Sequence, residues 1–151
     1  MADTRTAAAD GTFSADERAA MKQRATELKA QSASGKGAAK RQKEAQACLD
    51  AIAALPEPDK TIAERFHVAV TETAPHLEPK TWYGFPSYAL DGKVLTFLQP
   101  ASKFDTRYAS IGFNEVAALD DGDFWPTSFA VTEFTDAVDE AVRQLVARAV
   151  A

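Results

Sequence analysis

Six side chains between residues 82 and 108 have the types to hold a small molecule: Trp82, Tyr83, Tyr88, Lys103, Arg107 and Tyr108. Aromatic walls with polar tips suit small ligands. A Lys and an Arg beside them make an anion clamp, with Arg offering bidentate contact to a carboxylate or phosphate. If such a site were catalytic, Lys103 and Arg107 would stabilise charge and Tyr83 or Tyr108 would donate the proton. The competing reading is plainer. Aromatic residues more often fill cores and sheet faces, and loop cations are more often solvated. The six residues become a site only if the fold brings them to one cavity.

A second group is Asp120, Asp121 and Asp123, three hard oxygen donors around Gly122 that suit Ca²⁺, Mg²⁺ or Fe²⁺. Their spacing does not follow the EF-hand loop, and a plain acidic turn is the favoured reading. His67 and His76 are the only histidines and fit no His-x-x-x-His pattern. Cys48 is the only cysteine, so no disulfide forms within the chain; its place on an apolar helix face reads as an inert buried thiol. No Walker loop, Gly-x-Gly-x-x-Gly, Gly-x-Ser-x-Gly or His-Glu-x-x-His occurs.

The element that must position the aromatic set is a hairpin, TWYGFPSYAL-DG-KVLTFL. Asp91-Gly92 supplies the turn, because a type I′ loop needs φ > 0 at both central positions. A two-residue loop sets Leu90 opposite Lys93, Ala89 opposite Val94, Tyr88 opposite Leu95 and Pro86 opposite Phe97. Alternation then puts Tyr88, Leu90, Leu95 and Phe97 on one face, and Phe85, Ala89, Val94 and Leu98 on the other. Both faces are apolar and both need cover. A short strand is expected just before, at about Thr81–Gly84, with Gly84 or Pro86 bending or interrupting it.

Helices precede and follow. Ser14-Ala-Asp-Glu17 is a capping box that starts a helix over about 15–30, whose large apolar residues are only Met21 and Leu28. After the flexible break at 32–37, a second helix spans about 38–55; Ala45, Cys48, Leu49, Ile52 and Leu55 form its stripe. A third, from Asp59 or Thr61 to Thr73, buries Ile62, Phe66, Ala69 and Val70. Further strands follow at about 107–113 and 128–133. The closing helix, Asp136–Ala149, has Thr135 as N-cap, acids first and Arg143 and Arg148 late, as the helix dipole prefers. The fold class is α+β: a two-layer sandwich with an antiparallel sheet of four to five strands, flanking helices and an N-terminal helical pair. The expected organisation is a disordered tail over 1–12, a partly docked helical pair over 13–57, and an α+β domain over 58–151.

Charge divides along the chain. Residues 1–60 hold ten Lys/Arg against nine Asp/Glu, whereas 61–151 hold seven against thirteen. An acidic main domain makes nucleic acid an unlikely partner. Residues 22–43 carry seven basic side chains against Glu27 alone, a stretch that could meet an acidic partner. The N-terminus has no apolar h-region and no run approaches a membrane span. A cytoplasmic protein, monomeric or weakly dimeric, is expected.

From Trp82-Tyr-Gly-Phe-Pro-Ser-Tyr88 through Asp91-Gly-Lys-Val-Leu to Lys103, the chain resembles the YdhG-like family of small bacterial proteins. The likeness covers about residues 62–150. The residues that carry it are Trp82, Gly84, Pro86, Tyr88, Gly92, Val94–Leu98 and Lys103. It implies a two-layer α/β sandwich with an antiparallel sheet. Because some members are described as frataxin-like iron chaperones, it also implies iron as a possible cargo. Many relatives place a His directly after the Lys, where this chain has Phe104. The function expected is that of a non-enzymatic accessory domain binding a small ligand, a metal or a protein. The alternatives are an enzyme for a small anionic substrate, or an interaction module using the basic helical pair.

Overall fold

Two left-handed turns shape the sheet. Asp91-Gly92, with φ of 50° and 82°, makes the expected hairpin, and Tyr83-Gly84, with φ of 54° and 83°, makes a second one immediately before it. The computed structural model describes residues 13–33 and 37–151. Their order is α1 (Ala15–Ala33), α2 (Ala38–Ala53), α3 (Asp59–Thr73), β1 (Glu78–Trp82), β2 (Phe85–Leu90), β3 (Lys93–Gln99), the single turn α4 (Ala101–Phe104), β4 (Ala109–Phe113), β5 (Ser128–Val131) and α5 (Asp136–Ala149). The five strands form one antiparallel meander in the order β1-β2-β3-β4-β5. This is the α+β sandwich that the residue pattern predicts. The tail expected over 1–12 lies outside the described residues, as does part of the break at 32–37.

The strand expected at Thr81–Gly84 is instead Glu78–Trp82, and it is not continuous with β2. It pairs with β2 antiparallel, Trp82 opposite Phe85 and Lys80 opposite Ser87. The missed feature is the Tyr-Gly turn, because tyrosine is an uncommon occupant of a left-handed position.

The second correction concerns register. Leu90 faces Lys93 and Ala89 faces Val94 as expected, but a bulge then sets Tyr88 opposite Thr96 and Ser87 opposite Phe97. The extra residue on β3 is Leu95. Because side-chain direction alternates, a one-residue shift exchanges faces. Phe97 therefore joins Phe85, with ring centroids 5.6 Å apart, and Leu98 joins Tyr88 in the opposite layer.

That opposite layer is the main core. Tyr88, Leu95, Leu98, Ile111 and Phe113 pack beneath Cys48 and Ile52 of α2, Phe66 and Val70 of α3, and Val142 and Val146 of α5. Helix α5 has the expected bounds, and the Thr135 hydroxyl accepts from the Val138 amide at 3.3 Å. Arg143 ties it to α3 through Glu72 at 2.8 Å while pairing with its own Asp139. Helix α2 buries Cys48 and Ile52, but Leu49, placed in the stripe above, is 44% exposed. Neighbours in a helix point about 100° apart, so Leu49 cannot share the direction of Cys48. No helix among the described residues is long and apolar enough to cross a membrane.

Candidate functional site: an aromatic groove under the first helix

The second sheet face has no α2, α3 or α5 over it. Paired positions share a face, so Trp82, Phe85 and Phe97 all point there, and the Phe97 ring lies over Gly112. Only glycine fits beneath it: a Cβ at 112 would come within 2.2 Å of the ring. The α4 turn brings in Phe104, whose ring centroid is 6.3 Å from that of Phe85. That turn is held from the other layer, where the buried Asp59 carboxylate accepts from the Ser102 amide at 2.9 Å.

Helix α1 supplies the facing wall. It carries little apolar surface toward the sheet, and Met21 and Leu28 stay largely exposed. What anchors it is Glu27, whose buried carboxylate accepts from the Tyr83 amide at 3.1 Å and the Gly84 amide at 2.7 Å. Arg24 on the same helix lies 3.4 Å from that carboxylate. A left-handed non-glycine residue costs roughly 1–2 kcal/mol. Charge-assisted bonds of about 1.5–3 kcal/mol each offset that cost at Tyr83. The same two bonds thus stabilise the turn and seat the helix. Gly84 is enclosed as well, since a Cβ there would meet Lys103 Nζ at 2.3 Å and Gln23 Cγ at 2.9 Å.

The result is a groove of about 410 Å³ lined by Phe13, Glu17, Ala20 and Met21 of the α1 segment and by Trp82, Tyr83, Phe85, Phe97, Gln99 and Phe104. Its volume is within the range of small-ligand sites. Ten residues drawn from five elements and their flanking turns converge here, but only Trp82 and Tyr83 belong to the set singled out from residue type. No family model, curated protein or solved structure matches the chain.

The remaining four of that set go elsewhere. Tyr88 is fully buried in the main core, with Phe66 edge-on at 5.6 Å. Lys103 lies over Gly84, beside the groove rather than on its lining. Arg107 stacks on Tyr108 at 5.3 Å, and both are exposed. The structure therefore builds no clamp from Lys103, Arg107 and Tyr108 around the tryptophan. Asp120, Asp121 and Asp123 are exposed in the loop before β5, and among the described residues no three His, Cys, Asp or Glu are grouped to hold a metal ion.

Two further features escaped the residue pattern. The Tyr88 hydroxyl sits 2.9 Å from His67 Nδ1 and also hydrogen-bonds the Cys48 thiol, joining three elements under the sheet. Burial pushes Cys48 up to about 11, so the thiol stays protonated and unreactive. Burial also raises the Tyr88 phenol well above its ordinary value, and desolvation lowers His67. Across α1 from the groove lies a cleft of about 470 Å³ between α1, α2 and the Tyr83-Gly84 turn, lined in part by Gln23, Thr26, Glu44 and Asp50.

Proposed function

We propose that this chain is a YdhG-like accessory domain that binds a small molecule in the α1–sheet groove and does not transform it. The observation that carries the reading is the groove itself. Five rings, those of Trp82, Tyr83, Phe85, Phe97 and Phe104, gather with the Met21 thioether on a face that the helical layer leaves open. Phe85 is buried, whereas Trp82, Tyr83, Phe97 and Phe104 stay half-buried along the groove. The polar tips are Gln99 and Glu17, enough to orient a ligand with an apolar body. Cytoplasmic residence belongs to the same reading, which the motif Trp82-Tyr-Gly-Phe-Pro supports through its family resemblance.

The test uses indole, a neutral probe of matching shape, with Trp125 replaced by Phe so that Trp82 alone reports. Indole overlaps tryptophan optically, so binding is read from saturation-transfer NMR of indole on the Trp125→Phe protein. Transfer that disappears when Trp82 is also changed to Ala supports the reading. Equal transfer with and without the Trp82 ring excludes the groove as the site.

A further inference from the structure

Resting on that reading, we infer that the groove selects a quaternary or otherwise alkylated ammonium. Three observations point the same way. First, the lining is rich in π faces. Of the six ring pairs among Trp82, Tyr83, Phe85, Phe97 and Phe104, only Tyr83–Phe85 is stacked, at an interplanar angle of 26°. The other five are tilted or edge-on, so few faces are covered by a parallel ring. A ring face carries partial negative charge and attracts a cation within about 6 Å, Trp most strongly.

Second, the only charged side chain on the lining is Glu17. Its backbone amide is spent on the Ser14 hydroxyl at 3.1 Å, but its carboxylate makes no ion pair among the described residues. The cations nearby lie off the lining. Arg24 pairs with Glu27, Arg18 donates to the Phe13 carbonyl at 3.4 Å, and Lys103 lies over Gly84. A carboxylate with no ion pair on the exposed edge of a ring-lined groove attracts a cation and repels an anion.

Third, the lining offers little to a strongly hydrated head group. Gln99 is its only amide side chain, and no hydroxyl other than that of Tyr83 is present. A primary ammonium or a metal ion would lose water without replacement there, which is costly. An alkylated ammonium presents methyl groups, is weakly hydrated, and meets rings and the Met21 thioether on equal terms.

The test compares choline with 3,3-dimethylbutan-1-ol, which has the same shape but carbon in place of the charged nitrogen. Both are titrated into the Trp125→Phe protein, at salt matched with sodium chloride, while Trp82 fluorescence is followed. Choline is expected to bind about fivefold to thirtyfold more tightly than its neutral isostere. Glu17→Gln should weaken choline binding more than binding of the isostere, so that the preference shrinks. Equal affinity for the two overturns the cation inference and leaves the binding groove standing. A response to indole with none to choline does the same. Silence toward choline, isostere and indole alike overturns both this inference and the function on which it rests.

Discussion

Replacing Glu27 with Ala removes the side chain that seats α1 on the Tyr83-Gly84 turn. Two amide bonds are lost, at 3.1 and 2.7 Å, to a carboxylate that is 6% exposed. Bonds to a charged acceptor contribute roughly 1.5–3 kcal/mol each, and water recovers part of that at a half-buried turn, so the net local cost is about 2–4 kcal/mol. Among the described side chains of α1 the one buried apolar residue is the small Ala20, while Met21 and Leu28 are 39% and 50% exposed. The α1 helix should then open locally while the sheet stays closed. Native-state hydrogen exchange measures this directly. At about 1.4 kcal/mol per factor of ten, protection of the Tyr83 and Gly84 amides and of α1 should fall roughly 30-fold to nearly 1000-fold. Amides of β3 should change far less. Glu27→Gln keeps one neutral acceptor and should fall between the two. If α1 protection is unchanged in Glu27→Ala, or if β3 loses as much as α1, the anchoring argument is wrong.

The two left-handed glycines form a matched pair. Gly84→Ala and Gly92→Ala each force alanine to φ near +80°, but a Cβ at 92 meets nothing within 4 Å whereas one at 84 strikes Lys103 and Gln23. Each should cost about 1–2 kcal/mol in urea denaturation, with the excess in Gly84→Ala appearing as lost α1 protection. On α2, Ile52→Ala should cost about 2–5 kcal/mol, and Leu49→Ala should stay within about 0.5 kcal/mol, both read from the denaturation midpoint. His67 gives a pH test. Burial lowers its folded pKa below 6.5, so the unfolded chain binds the proton first and stability should fall as pH drops through 6.5. In His67→Gln that part of the decline should vanish, as thermal unfolding between pH 7.5 and 5.5 would show; an unchanged slope refutes the assignment.

Elements whose local signals agreed were legible in the residues. Helix α5 has a capping hydroxyl, ordered charges and a strict apolar stripe, and it forms with the expected bounds. The Asp91-Gly92 turn was equally plain. What escaped was whatever local chemistry does not encode. Leu95 looks like any strand residue, yet as the bulge it sends Phe97 and Leu98 to opposite faces from those alternation assigns. Tyr83-Gly84 lacks the usual Asn or Asp, because its stabilising acceptor, Glu27, lies 56 residues away. Tyr88 was grouped with Trp82 although a turn between their strands places them on different layers. The groove was half legible: Trp82 and Tyr83 belong to it, but Glu17, Met21, Phe97 and Phe104 enter through long-range packing alone.

The account turns on a ligand meeting Trp82 between α1 and the sheet. The two indole N–H resonances of the unmodified protein test it, since Trp82 lines the groove and Trp125 packs against the core on the helical side. Titration with choline should move the Trp82 resonance in a saturable way and leave that of Trp125 in place. Movement of Trp125 alone, or no movement of either resonance with choline and with indole alike, would contradict it.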